Sequence, residues 1–352
     1  MNGSQCPNFP KTPDGTGEEG VALISMSTHP FGTTKNVPHP GDSTAHGRRA
    51  VGDASGKRIL VTGANAGIGF WTSLQLAQRG AEVILACRNQ SKADAAVQAI
   101  RTRVPNAKVS SVTMDVASLE SVAGSVERLS ELEGLDVLIA NAGVVHTPKA
   151  RKQSADGLEL VAATNFFGHF ALVAGRLPVL ERTPGSRVLT LGSLSTLMVK
   201  PRLDDLQLSK GYSGWQAYAQ SKIMVQSFGF ELDRRLQAAG SPVRALSAHP
   251  GYSISGRTPV VPGVNEPSRG KLFADSLQAP FTQGKNRGAL PIVRAALDPQ
   301  AFRNEGAVFF GPKGWLKGAP VRSKPARITT DPRAAAAIWK EAENATGITL
   351  LS

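Results

Sequence analysis

The sequence contains few cysteines and few aromatic residues. Cys6 and Cys87 are the only cysteines among 352 residues, and aromatic residues make up 6% of the chain. Two cysteines this far apart give no disulfide framework, and the chain has no CxxC pattern that would indicate a zinc site. We therefore expect a protein of the reducing cytoplasm that has no metal site.

Long apolar runs and clustered charges are also missing. The sequence has no stretch of about 18 apolar residues, so we expect no membrane span. The N-terminus also lacks the apolar run of a secretory signal. The formal net charge is +13, but no five basic residues are consecutive. With few aromatic side chains to stack on bases, we expect no nucleic-acid partner. The positive surface instead favours a small anionic ligand.

The remaining sequence divides into two regions. Residues 1–55 are rich in Gly, Pro, Ser and Thr without periodicity, which predicts a disordered N-terminal extension. Over residues 56–352, short apolar strands alternate with amphipathic helices. This alternation predicts a single α/β domain of the Rossmann type, with a doubly wound parallel sheet of about seven strands. The irregular segment 253–285 follows the sixth predicted strand, and we predict that it forms a substrate loop.

A glycine-rich loop joins the first predicted strand, RILVT at 58–62, to a helix. Its glycines are Gly63, Gly67 and Gly69. A tight turn that lets a phosphate approach the backbone needs positions without a Cβ. The N-terminus of the following helix attracts anions through its free N–H groups and its dipole. The loop therefore predicts a site for the phosphates of a dinucleotide, with Asn65 and Ile68 among the contacts.

The end of the second predicted strand carries Arg88 and Asn89 and no acidic residue. In sheets that bind dinucleotides, an acid at this place accepts from the ribose 2′-hydroxyl of NAD. An arginine instead offers a planar, permanent cation to a 2′-phosphate. The sequence therefore predicts NADP(H) as the cofactor. Alternatively, Arg88 is a solvent-facing residue at the end of a strand.

The stretch Tyr218-Ala-Gln-Ser-Lys222 lies in a predicted helix, where positions four apart share a face. A phenol has an unperturbed pKa of about 10 and is a poor catalyst at neutral pH. A neighbouring ammonium favours the phenolate, so we expect Lys222 to lower the pKa of Tyr218. The phenol would then exchange a proton with a carbonyl or alcohol oxygen.

Three motifs in this order resemble the short-chain dehydrogenases/reductases over about residues 57–250. They are T-G-x-x-x-G-x-G at 62–69, N-A-G at 141–143, and Y-x-x-x-K at 218–222. The resemblance implies further cofactor contacts from Asp115 and Val116 at the adenine and from Pro250 and Gly251 near the nicotinamide. It also implies contacts from Asn141, Ala142, Gly143, Tyr218 and Lys222. Asp115 additionally has the position of a helix N-cap.

The same resemblance implies a catalytic tetrad of Asn165, Ser193, Tyr218 and Lys222. Ser193 would hydrogen-bond the substrate oxygen, Lys222 would hold the nicotinamide ribose, and Asn165 would hold a water of a proton relay. Ser195 replaces Ser193 if the register slips by two residues. His169 is expected to pack in the protein and not to act as a base. Thr258 or Ser253 would contact the cofactor, and the sequence does not fix this register.

Within the family, the chain resembles the retinol-dehydrogenase and protochlorophyllide-reductase-like branch and bacterial polyketide ketoreductases. The segments 85–89 and 165–170 carry this likeness, as does the long insert between Ser193 and Tyr218. The apolar residues of the segment 253–285 (Phe273, Leu277 and Phe281), together with Leu194, Leu197 and Met198, predict a pocket for a bulky, hydrophobic ketone or aldehyde that is reduced, or for the alcohol that is oxidised. Alternatively, these residues pack the domain or a subunit interface. Double-bond reduction and a non-catalytic NADP(H) sensor stay open as alternatives, and a homodimer and a homotetramer are both compatible.

Overall fold

The computed structural model describes residues 52–303 and 306–351. The predicted disordered extension over 1–55 therefore lies outside the described residues, apart from 52–55.

A mostly parallel sheet of eight strands forms the centre of the described protein, and two short strands pair separately. In chain order the strands are β1 Arg58–Thr62, β2 Glu82–Cys87, β3 Val109–Thr113, β4 Val137–Ala140, β5 Arg187–Leu191, β6 Arg244–Ala248, β7 Ser253–Ile254, β8 Gln283–Gly284, β9 Phe309–Pro312 and β10 Pro320–Arg322. The order in the large sheet is β10-β9-β6-β5-β4-β1-β2-β3, and β7 pairs with β8.

The predicted parallel α/β sheet is confirmed, with one additional edge strand. Seven strands run parallel, whereas β10 pairs antiparallel with β9. The three residues of β10 include a proline, so the sequence offered no alternating pattern to detect there. Strand β1 lies between β2 and β4, so the chain reverses its direction of travel across the sheet at β1. Open sheets of this kind bind ligands at such a switch point, outside the carboxyl ends of the strands.

Helices cover both faces of the sheet. They are α1 Gly67–Ala77, α2 Gln90–Arg103, α3 Leu119–Arg128, α4 Leu160–Glu181, α5 Gly214–Ala238, α6 Arg269–Leu277, α7 Lys285–Gly288, α8 Leu290–Leu297 and α9 Pro332–Thr346. Along β1, Leu60 faces the core under α3, α4, α5 and α9, whereas Ile59 and Val61 face the core under α1, α2 and α8. Burial on both faces explains why the strands read as continuous apolar runs.

Helix α4 is long and apolar enough, by length and composition, to cross a membrane. It has 22 residues and a mean hydropathy of 1.3 over its best window, but 78% of that window is buried inside the domain. Phe166, Phe167 and Phe170 of this helix are fully buried in the core under the sheet. We therefore interpret α4 as the central core helix of the domain, in which such a composition is expected.

The segment 253–285, predicted as an irregular loop, contains regular structure. It begins with β7 and contains helix α6, which Ser268 caps. Near its end lies β8, which pairs with β7. Helix α6 has little helical pattern in the sequence because its nine residues contain a glycine and only three large apolar side chains, Leu272, Phe273 and Leu277. Phe273 and Leu277 are 70% and 71% exposed.

Candidate active site

Tyr218 and Ser193 meet at the carboxyl end of β5. Helix α5 carries Tyr218, and its Oη donates to Ser193 Oγ at 3.3 Å. Ser193 follows β5 by two residues, and its Oγ also accepts the Ser195 N–H at 3.2 Å, which starts a short 3₁₀ turn. Ser195 Oγ is buried and has no hydrogen-bond partner among the described residues. The structure therefore places Ser193, and not Ser195, beside the phenol.

Lys222 lies one helical turn beyond Tyr218 and is almost completely buried. Its Nζ donates to the backbone oxygen of Leu191 at 3.1 Å. A Cβ built on Gly143 would lie 3.5 Å from the same nitrogen, so the amine faces the N-A-G stretch after β4. Burial lowers the pKa of Lys222 to about 8, since the interior disfavours the charged form.

The expected lowering of the Tyr218 pKa is wrong for this structure. Burial raises the pKa of Tyr218, and the hydrogen bond to Ser193 only partly opposes that effect. The spacing of four residues does put Tyr218 and Lys222 on one helix face. The amine, however, donates to the Leu191 oxygen, and no hydrogen bond joins it to the phenol oxygen in the described part of the chain. Desolvation of the phenol is then the larger effect.

Asn165 lies within a π-helical turn of α4, Ala163–Phe167. Its Oδ1 accepts the Val144 N–H at 2.8 Å, and its Nδ2 donates to Ser221 Oγ at 2.8 Å. The asparagine thus joins α4 to the loop after β4 and to α5, next to Lys222. These two contacts explain why an asparagine lies within an otherwise apolar helix. Turns of π-helix are also frequent at functional sites. The water that the family resemblance implies at Asn165 stays a prediction.

His169 is fully buried, and its ring nitrogens complete a hydrogen-bond network. Nδ1 lies 3.2 Å from the Asn165 carbonyl oxygen, and Nε2 lies 2.9 Å from Thr62 Oγ1. Because a carbonyl only accepts, Nδ1 carries the proton and the Thr62 hydroxyl donates to Nε2. Thr62 Oγ1 in turn accepts the N–H groups of Asn141 and Ala142. Burial lowers the pKa of His169 to about 4, which agrees with a packing role.

The glycine loop has the geometry that phosphate binding requires. Gly63 and Gly67 have left-handed φ angles of 63° and 59°. A Cβ on Gly69 would lie 2.5 Å from Asn141 Nδ2 and from the Gly63 oxygen, so this approach excludes other residues. Helix α1 begins at Gly67 without a side-chain cap or an acidic residue in its first turn. Its first N–H groups therefore remain for an anion, which fits a dinucleotide phosphate.

Arg88, Asn89 and Asp115 lie at the ends of β2 and β3, apart from the tyrosine. The Arg88 side chain is 78% exposed, and its guanidinium lies 3.8 Å from the Asp115 carboxylate. Asn89 caps α2 by accepting the Lys92 N–H. Asp115 accepts the Ala117 N–H, and the N-cap of α3 is Ser118. Asp115 therefore shapes the turn before the helix but is not its cap.

The turn at Pro250 and Gly251 lies beside the segment 253–285. The Pro250 oxygen accepts from Ser253 Oγ at 2.8 Å and from Gln283 Nε2 at 2.9 Å, and Gly251 has a φ of 65°. Thr258 Oγ1 donates to the Ile254 oxygen and accepts from a backbone N–H further along the segment. Both hydroxyls proposed from the sequence, those of Ser253 and Thr258, therefore hold the segment together in this structure.

The remaining predicted residues border the glycine loop. Asn65 lies in the loop beside the buried Cys87: burial raises the pKa of the Cys87 thiol to about 11, and the backbone of Ala64 and Asn65 partly opposes that shift. The side chain of Ile68 packs against Gly288. A Cβ on Gly168 of α4 would overlap the carbonyl oxygen of Val116. This close contact packs α4 against the turn after β3. Together these contacts set the walls of the crevice at the end of β1.

The fold matches that of nucleotide-binding α/β proteins, and its Tyr, Lys, Ser and Asn group lies near the carboxyl ends of β4 and β5. A family model of short chain dehydrogenases matches residues 57–261. The chain is 34% identical to human retinol dehydrogenase 13 over 299 residues, which are 83% of the chain and 85% of the relative. It is 37% identical to mouse polyprenol dehydrogenase over 201 residues, 56% of the chain and 59% of that relative.

A solved structure agrees with these sequence relatives. The crystal structure of an uncharacterized protein from Mycobacterium paratuberculosis superposes with a TM-score of 0.67 at 34% identity. The superposition covers 84% of this chain and 96% of that one. The chain therefore belongs to the short-chain dehydrogenase/reductase family, in its retinol-dehydrogenase-like branch, and is an oxidoreductase.

Proposed function

We propose that the protein is an NADP(H)-dependent reductase of apolar aldehydes or ketones, which also oxidises the corresponding alcohols. The observation that carries the proposal is the contact between Tyr218 Oη and Ser193 Oγ, one helical turn from the buried Lys222. A binding protein without turnover has no need of a phenol and a serine hydroxyl held together at the ligand crevice. This arrangement favours an enzyme over a sensor.

The cofactor would lie across the carboxyl ends of the strands. Gly63, Gly67 and Gly69 would hold its pyrophosphate, and Arg88 would pair with the 2′-phosphate, since no acid follows β2 to repel it. Lys222 and the N-A-G stretch would hold the nicotinamide end. When bound, the nicotinamide supplies or accepts the hydride.

Tyr218 would provide the proton for reduction. The phenol stays protonated at neutral pH because its pKa is raised. Its hydroxyl donates to Ser193 Oγ, which orients the proton within the crevice. A carbonyl oxygen placed between the two hydroxyls would receive hydrogen bonds from both and the proton from Tyr218. Asn165 would position this group through Ser221, whose hydroxyl donates to the Tyr218 backbone oxygen.

Apolar side chains near the tyrosine support a hydrophobic substrate. Trp215 is half exposed, and its ring centroid lies 6.1 Å from that of Tyr218. Leu197 and Met198, just after Ser193, are also exposed. Relatives named for retinol and polyprenol suggest alcohols of this kind. Location in the cytoplasm and a homodimeric or homotetrameric assembly stay predictions.

Turnover of retinal with NADPH tests the proposal. We expect Tyr218→Phe to lower kcat by about 10²- to 10⁴-fold, the usual contribution of an acid-base group, with the NADPH Kd within about twofold. Tyr212→Phe is the matched control, because the Tyr212 hydroxyl has no hydrogen-bond partner among the described residues. Full activity of Tyr218→Phe would contradict the assigned role. A product that keeps its carbonyl would instead indicate double-bond reduction.

A further inference from the structure

Lys285 begins α7 at the end of the segment 253–285, far along the chain from the glycine loop. Its side chain nevertheless reaches that loop: a Cβ built on Gly67 would lie 3.8 Å from Lys285 Nζ and 3.9 Å from its Cδ. Gly67 is the first residue of α1. The amine therefore lies at the helix N-terminus where the dinucleotide phosphates are expected.

The backbone around Lys285 is attached on both sides. The Lys285 N–H donates to Thr258 Oγ1 at 2.8 Å, and Thr258 is itself buried. On the other side, Gln75 Nε2 of α1 donates to the Asn286 oxygen at 2.7 Å. The first bond joins the start of α7 to the rest of the segment and the second joins it to α1, so the fold sets the backbone position of Lys285 beside the glycine loop.

The charges around this amine are mostly positive. Helix α1 presents the positive end of its dipole and has no acid in its first turn. Burial lowers the pKa of Lys285, and the nearby Lys271 lowers it further, whereas Asp275 opposes the shift. The Asp275 carboxylate is shared, because it pairs with Lys271 at 3.1 Å and accepts the Gly256 N–H. No carboxylate of the described residues lies within 4.0 Å of Lys285 Nζ.

A partly buried cation beside a positive helix end is favourable only when an anion joins them. We propose that Lys285 binds the pyrophosphate of the cofactor from above the glycine loop and thereby fixes the substrate segment 253–285 to the bound dinucleotide. This inference rests on the proposed function, since it takes the glycine loop as the dinucleotide site. It adds a cofactor contact that comes from the variable segment of this chain.

The proposal separates Lys285 from Arg88. Both NADPH and NADH contain the pyrophosphate, so loss of Lys285 weakens both cofactors by the same factor. Arg88 faces the 2′-phosphate, so its loss weakens NADPH alone. The fragment 2′-AMP contains the 2′-phosphate but lacks the pyrophosphate, and its binding depends on Arg88 and not on Lys285.

Fluorescence titrations of the full chain test the proposal with NADPH, NADH and 2′-AMP as probes. We expect Lys285→Met to raise the Kd of NADPH and of NADH about tenfold each, the usual size of a charge-assisted hydrogen bond. The Kd of 2′-AMP should not change. Lys285→Arg should recover most of the affinity, and Lys340→Met, an exposed lysine on α9, should leave all three values unchanged.

Two other results would contradict the pyrophosphate contact of Lys285, and a third would contradict the proposed function as well. Unchanged NADPH and NADH affinities in Lys285→Met would overturn the pyrophosphate contact and leave the proposed function intact. Loss of 2′-AMP affinity as well would show a general distortion and also contradict the inference. Wild-type protein that binds neither NADPH nor NADH would overturn the proposed function and this inference together.

Chymotrypsin cleavage gives a readout of the segment itself. Phe273 and Phe281 are exposed cleavage positions within 253–285. If Lys285 fixes the segment to the bound cofactor, saturating NADPH slows cleavage there in the wild type by severalfold and has much less effect in Lys285→Met, measured at saturation of each protein. Equal protection of the two proteins would contradict the link between segment and cofactor.

Discussion

Two halves of the crevice are built differently. At the ends of β1 and β4, buried polar groups such as Thr62, His169 and Asn165 satisfy one another, and glycines allow close contacts. In the segment 253–285, helix α6 is short and its Phe273 and Leu277 are largely exposed. The first half can hold reacting groups at fixed distances, whereas the second has room to change its side chains. From this difference we expect the chemistry to depend on the core and propose that the segment selects the substrate.

A glycine from each half gives the largest expected contrast. A Cβ on Gly168 would overlap the Val116 oxygen, whereas a Cβ on Gly270 in α6 meets nothing within 4 Å. We expect Gly168→Ala to lower the free energy of unfolding by about 3 kcal/mol or more through overpacking. Gly270→Ala should be neutral or raise it by up to about 1 kcal/mol through helix propensity. Urea unfolding measures both, and equal effects would remove the proposed contrast.

Acid should weaken the core half through His169. Burial lowers the folded-state pKa of His169 to about 4 from an ordinary 6.5, so the unfolded chain binds more protons between these values. The contribution is therefore fully present above pH 6.5 and is lost as pH falls toward 4. Between pH 7.5 and 5, the wild type should lose about 2 kcal/mol more unfolding free energy than His169→Gln. Parallel pH curves for the two proteins would contradict the neutral, buried histidine.

The smallest expected effect concerns the apolar side chains of α6. Because Leu277 is 71% exposed, Leu277→Ser should change the free energy of unfolding by less than about 0.5 kcal/mol. If the segment binds an apolar substrate, the KM for retinal should rise about fivefold, by loss of buried apolar area. The KM for a small aldehyde should stay the same. A change in stability without a change in KM would instead assign Leu277 to packing.

The sequence predicted the parts of this structure that depend on short stretches of chain. The strands at 58–62 and 187–191, the glycine loop and the helix that carries Tyr218 and Lys222 follow from local periodicity and spacing. The π-helical turn at Asn165 could not be predicted, because it depends on Val144 and Ser221 from other elements.

Two further features were inaccessible for the same reason. The direction of the Tyr218 pKa shift depends on its burial and on where Lys222 points, which spacing along one helix does not determine. The approach of Lys285 to Gly67 joins residues more than 200 positions apart. A lysine before an amphipathic helix carries no local signal of a phosphate contact. Only the folded arrangement of α1 and α7 brings it there.

Titration of the purified protein with NADPH and with NADH measures its cofactor preference and needs no knowledge of the substrate. We expect NADPH to bind at least about tenfold more tightly than NADH, because Arg88 would pair with the 2′-phosphate. Arg88→Asp should remove this preference and leave NADH binding nearly unchanged. Tighter binding of NADH by the wild type, or equal losses for both cofactors in the variant, would contradict the assignment of Arg88 and of NADP(H).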